Sequence, residues 1–193
     1  MKRSTIVWIV ASLVVVVGVV YWAWNGQGAG VVRGVATTFE ECAAAGNPVM
    51  ESYPRQCRSK DGQSFVEFVG NELEKLDFIR IDSPRPNAVI RSPLEITGEA
   101  RGAWYFEATF PAVLTNWDGL IIAEGFATAK GEWMTENFVP FASTLEFESP
   151  YKAGDPDFIR RGFLILQKDN PSGLPEYDDA LEIPIFFSES DDV

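Results

Sequence analysis

From residue 77 to residue 187 the chain reads as strand after strand, and several runs alternate apolar and polar side chains with a period of two, the mark of strands with one buried and one wet face. The pattern predicts strands at 78–81, 94–100, 103–114, 120–129, 141–148, 162–167 and 181–187. Two runs alternate cleanly. In one, Trp104, Phe106, Ala108 and Phe110 oppose Tyr105, Glu107 and Thr109. In the other, Phe141, Ser143, Leu145 and Phe147 oppose Ala142, Thr144, Glu146 and Glu148. Clusters of Pro, Gly, Asn and Asp at 83–87, 116–119, 153–157 and 169–173 separate the runs as turns. About seven strands without helical periods between them predict a mainly β fold, an immunoglobulin-like β-sandwich over 77–188, with an acidic tail at 189–193.

The N-terminal pattern is of another kind. Residues 6–24 carry no charge, and only Ser12 and Tyr21 bring hydroxyls. As a helix this stretch spans roughly 28 Å, the thickness of a bilayer's hydrocarbon core. Lys2 and Arg3 precede it, and Tyr21, Trp22 and Trp24 crowd its far end as an interfacial belt, so the expected orientation keeps the N-terminus in the cytoplasm. A cleaved signal peptide is the alternative. The apolar run is longer than the roughly 7–15 residues of such segments, and Gly28-Ala29-Gly30 is a weak cleavage site. The expectation is a single-pass anchor in the lipid bilayer at residues 6–24, then a glycine-rich linker over 25–37.

A short structured unit is expected next, over 38–76. Thr38-Phe39-Glu40-Glu41 fits a capping box opening a helix of about two turns, which Gly46 and Pro48 would end. Lys60-Asp61-Gly62-Gln63 is a hairpin-turn signal before a strand-prone run at 64–69. Residues 70–76 are polar and helix-compatible. A unit this small rarely holds together on its core alone, so a staple is physically expected, and Cys42 and Cys57 can supply it. Their loop would contribute on the order of 3 kcal/mol in the chain-entropy model. A disulfide also agrees with an extracytoplasmic location.

Composition narrows the function classes. The sequence holds 28 acidic against 16 basic residues, a net charge of −12, which opposes nucleic-acid binding by phosphate neutralisation. No histidine is present, which removes Ser-His-Asp and Cys-His catalysis and the usual zinc motifs. Two cysteines are too few for a four-thiolate zinc site. Carboxylates gather at Asp155 and Asp157, Asp178 and Asp179, and Asp191 and Asp192, but no twelve-residue calcium loop accompanies them. No metal or cofactor is expected.

One ordered set of motifs carries a resemblance. It comprises the run from Ser92-Pro93-Leu94-Glu95-Ile96-Thr97-Gly98 through Trp104-Tyr105-Phe106-Glu107, then Gly131-Glu132-Trp133-Met134, Val139-Pro140-Phe141 and Asp169-Asn170-Pro171-Ser172-Gly173. Together these resemble the immunoglobulin-like domain of bacterial spore germination proteins over residues 79–187. The resemblance implies a β-sandwich on the outer side of a bacterial membrane that binds or assembles at the cell surface, and it brings no catalytic residues. Both cysteines lie upstream of the sandwich, so it must rest on its aromatic core rather than on an inter-sheet disulfide.

Arg101, Trp104, Glu107 and Trp133 are the candidate binding surface, because Trp and Arg concentrate interaction energy. For Trp104 the period-two pattern favours core over contact, and Glu107 is read as solvated or paired with Arg101. The expected role is non-enzymatic: an envelope protein that engages another protein or a cell-wall polymer. A carboxylate-dependent hydrolase of wall polysaccharide is the competing class, since a two-carboxylate mechanism needs no histidine.

Overall fold

The computed structural model describes residues 36–190. The expected anchor at 6–24, most of the linker and the last residues of the acidic tail lie outside the described residues. Among the described residues no helix is long and apolar enough to cross a membrane. The stapled segment and the sandwich belong to one compact unit.

Helix α1, Phe39–Ala44, opens where Thr38 Oγ1 accepts the Glu41 backbone N–H at 3.2 Å. Phe39 and Cys42, three positions apart and therefore on one face, are its buried residues. Strands β1 (Val49–Met50), β2 (Gln56–Arg58) and β3 (Ser64–Val66) form an antiparallel sheet in that order. The expected turn joins β2 to β3, with Gly62 in the left-handed region and Ser59 N–H donating to Gln63 O at 2.9 Å. Cys42 and Cys57 are fully buried and bonded to each other, with Cα atoms 6.0 Å apart. A short helix, α2 (Glu72–Lys75), follows.

The remaining strands are β4 (Ile79–Ser83), β5 (Val89–Ile90), β6 (Leu94–Arg101), β7 (Thr109–Asn116), β8 (Ile121–Ala129), β9 (Phe138–Leu145), β10 (Arg161–Gln167) and β11 (Ala180–Phe187). Their hydrogen-bonded order is β4-β6-β9-β8-β7-β10-β11-β5. β8 and β9 meet at only two residue pairs, Thr128 with Ala142 and Ala129 with Phe141, whereas their other pairings are long. The ladder turns there. One layer is β4-β6-β9 and the other β8-β7-β10-β11-β5, the arrangement of an immunoglobulin-like sandwich. The first strand is split between layers: β4 pairs antiparallel with β6, and β5 then pairs parallel with β11. β5 went unread within its turn-rich surroundings because two residues are too few to show a period.

The core lies between the layers. Ile79, Ile81, Ile96, Phe141 and Leu145 of the first layer face Phe110, Leu114, Leu164, Leu166, Leu181, Ile183, Ile185 and Phe187 of the second, all at most 2% exposed. The Phe110 and Phe141 rings meet edge-on at 5.0 Å.

One expected strand is corrected. Residues 103–114 do not run as one strand. Gly102–Trp104 is a turn of 3-10 helix, and Phe106 and Thr109 exchange backbone hydrogen bonds at 2.9 and 3.0 Å across a tight turn, with Glu107 and Ala108 at φ 50° and 65°. β7 starts only at Thr109. The turn breaks the period of two, so Tyr105 is buried and Phe106 is 42% exposed, the reverse of the simple alternation. The strand expected at 141–148 also lies earlier, with Pro140 inside it. Its alternation of Phe141, Ser143 and Leu145 inward holds.

Candidate ligand-binding cleft

The outer face of the second layer is less polar than strand alternation alone predicts. On β10, Gly162, Leu164 and Leu166 point into the core, which sends Phe163 and Ile165 outward. Phe163 meets Phe68, just after β3, edge-on at 6.5 Å. Beside them, Trp117 in the β7–β8 turn and Phe158 before β10 form a second edge-on pair at 4.9 Å. The turn holding Trp117 is fixed by Asn116, whose Oδ1 accepts the N–H groups of Asp118 and Leu120 at 3.0 and 2.9 Å. Phe68, Trp117 and Phe158 are 58%, 49% and 46% exposed. With Phe186 and Pro184 of β11, Asn87, Glu40 of α1 and Arg161 they line a cleft of about 340 Å³. Arg161 is exposed and makes no ion pair among the described residues.

The cleft walls are held by a polar joint between the stapled segment and the sandwich. Glu67, 7% exposed, accepts from Arg55 Nε at 2.8 Å and Nη2 at 2.6 Å, and from Asn87 Nδ2 at 3.1 Å. The Arg55 hydrogen bonds hold the Glu67 carboxyl below its ordinary range, against the opposing effect of burial. Arg55 also lies over the Phe39 ring. Asn87, at φ 64°, donates further from Nδ2 to Phe68 O at 2.9 Å and from its backbone to Pro184 O at 2.7 Å, fixing Phe68 against β11. Glu72, 1% exposed, takes Arg85 Nη1 at 2.7 Å, yet burial outweighs that arginine and raises its pKa. Asn71 caps the edge of β11 with both ends of its amide, donating to Ala180 O at 2.9 Å and accepting from Glu182 N–H at 2.8 Å.

None of the four residues singled out from the sequence lines this cleft. Trp104 is 2% exposed and part of the core, as its period-two position favoured, and its Nε1 has no hydrogen-bond partner among the described residues. Arg101 is bound into the fold, donating from Nε to Asp77 O at 2.6 Å and from Nη1 to Glu136 O at 2.8 Å while stacking on Phe138. These partners, rather than Glu107, occupy its guanidinium. Trp133 is partly buried against the core, and its carbonyl lies so near Gly102 that an added Cβ would sit 2.2 Å from it. Glu107 is exposed on the tight turn. The structure thus brings Arg101 and the loop carrying Trp133 together as a buttress of the first layer. The cleft aromatics were passed over because they belong to turns and to an outward strand face, where apolar side chains look incidental. Trp117 inside a turn cluster and the outward-facing Phe163 were the available signals.

The two packed, mainly antiparallel layers define an immunoglobulin-like domain, and its outer face carries exposed rings. Residues 78–156 match the family of the immunoglobulin-like domain of bacterial spore germination. The match takes in β4 to β9; β10 and β11, which complete the second layer, follow it. No curated protein and no solved structure matches the chain.

Proposed function

We propose that the chain is a membrane-anchored envelope protein, held by residues 6–24, whose immunoglobulin-like domain engages a protein or a cell-wall polymer outside the membrane through the aromatic cleft. The observation that carries the reading is the grouping of Phe68, Trp117 and Phe158, each about half exposed, around one concave site of ligand-pocket size. Exposed rings in a cleft give a partner large apolar area at little entropy cost, and Arg161 at the same site adds a directional donor. The catalytic alternative ranks second, because the two carboxylates buried among the described residues, Glu67 and Glu72, are each paired with an arginine.

The test is quantitative co-sedimentation of the full-length protein with purified cell wall, and pull-down from envelope extract, for the wild type and for Trp117→Ala/Phe158→Ala. The expected result is loss of binding in a variant whose circular dichroism and melting are unchanged. Full binding by that variant overturns the cleft as the contact site. Soluble sugars released from the wall by the wild type alone would favour the hydrolase.

A further inference from the structure

A second pocket, of about 330 Å³, is lined by Val89, Arg91, Tyr151, Arg160, Ser188 and Glu189. Its chemistry is opposite to that of the aromatic cleft. Two arginines line it, and neither forms an ion pair among the described residues. Arg160 is pinned between two rings, 5.5 Å from the centroid of Tyr151 and 5.8 Å from that of Phe186, so its orientation is set before any ligand arrives. Its Nε is buried with no hydrogen-bond partner among the described residues. So is Ser190 Oγ, on the residue whose N–H donates to Tyr151 O at 2.9 Å. A buried donor on a charged group left unmade is costly, and proteins retain such a cost mainly where something else completes the bond.

We infer that this pocket binds a phosphate group, as an ester or a free anion, with Arg160 and Arg91 as its principal donors. Arg91 and Arg160 and the hydroxyl-bearing Ser188 and Tyr151 line the space from several segments of the chain. A tetrahedral oxyanion offers acceptors in as many directions, whereas a carboxylate offers two in one plane. Val89 supplies one apolar wall. Glu189 is the opposing charge in the lining, and it sets a limit on affinity rather than closing the site. The net charge of −12 repels anions at long range, but beyond about 8 Å such repulsion is screened at physiological salt, so the local arginines govern.

Arginine Nε–H groups give their own nitrogen–proton resonances, which lets the test read the inferred donor directly. The full-length protein, in nanodiscs of phosphatidylcholine at constant ionic strength, is titrated with inorganic phosphate, glycerol 3-phosphate and, separately, acetate. The expected result is a saturable shift of the Arg160 Nε–H signal with the two phosphates, half complete at about 1 mM or below, and at least about tenfold weaker with acetate. Arg91→Gln should weaken phosphate about tenfold, and Glu189→Gln should tighten it several-fold, with the dispersed spectrum of the folded domain retained in both. Repeating the measurement in phosphatidylglycerol nanodiscs separates the sources. A shift there without added phosphate assigns the group to a lipid headgroup, whereas its absence together with a shift from soluble phosphate assigns it to a free ester. No saturable shift in any arm, equal response to acetate, or an Arg91→Gln titration identical to the wild type overturns the inference.

Discussion

The Arg55–Glu67 pair, internal to the stapled segment, tests how that segment holds the carboxylate that Asn87 of the sandwich contacts, because its two partners sit in different surroundings. Glu67 is 7% exposed and receives two arginine N–H groups and one amide, while the Arg55 side chain is 54% exposed. Their removal should therefore cost different amounts. Arg55→Leu leaves a buried carboxylate with Asn87 as its remaining side-chain donor. Stranding a fully buried charge costs about 3–5 kcal/mol, and the wet side of this pair admits water, which reduces the figure to about 2 kcal/mol. Glu67→Gln leaves the arginine half in solvent over Phe39 and keeps an acceptor for Asn87, at about 1 kcal/mol. The double variant should lie close to the worse single one, with a coupling of about 1 kcal/mol. Urea unfolding of the four proteins at pH 7, followed by tryptophan fluorescence, gives these values. The pH dependence has a definite sign. The arginine lowers the folded pKa of Glu67, so the pair's contribution is complete above the ordinary glutamate range and is lost as pH falls through the lowered folded value. The gap between wild type and Arg55→Leu should be flat from about pH 6 to 8 and close below about pH 4. Equal costs for the two single variants, or strict additivity in the double one, would refute the reasoning.

Glu72 acts in the opposite sense, since burial raises its pKa and ionising it with rising pH costs stability; Glu72→Gln should therefore be better tolerated at pH 7 than Glu67→Gln in the same unfolding assay. Cys42→Ser/Cys57→Ser opens a loop closed over a separation of 15 residues and should lose about 3 kcal/mol, while thiol titration of the unreduced wild type finds no free cysteine. Trp104→Ala should cost about 3–5 kcal/mol in chemical denaturation and Glu107→Ala less than about 0.5, because one side chain is core and the other solvated. Gly70→Ala should destabilise by more than about 2 kcal/mol, since φ is +71° there and a Cβ would fall 1.9 Å from Glu182 O.

Much of this architecture is written locally. The Thr38 cap, the Gly62 turn, the two cysteines and the inward alternation of Phe141, Ser143 and Leu145 each depend on residues close together in sequence, and each is present in the fold. The failures share a cause as well. Trp104 to Phe110 satisfies a period of two, yet the bonds that Phe106 and Thr109 exchange cut the run, and alternation cannot register a turn built without Gly or Pro. The split first strand depends on parallel pairing with β11, about 97 residues away, which leaves no local mark. The aromatic cleft assembles Phe68, Trp117 and the Phe158–Phe163 segment from three places in the chain. Only the folded chain makes them neighbours.

The position of β11 imposes an order in time. It is the last strand made, yet Leu181, Ile183, Ile185 and Phe187 are almost wholly buried, and its two edges are engaged by β10 on one side and by Asn71, Asn87 and β5 on the other. A ribosome that has reached residue 179 has therefore delivered the stapled segment and seven of the eight sandwich strands without the piece that binds them together. Closure of the second layer waits for this strand, so the growing chain keeps an open apolar face until residues 180–187 have been made.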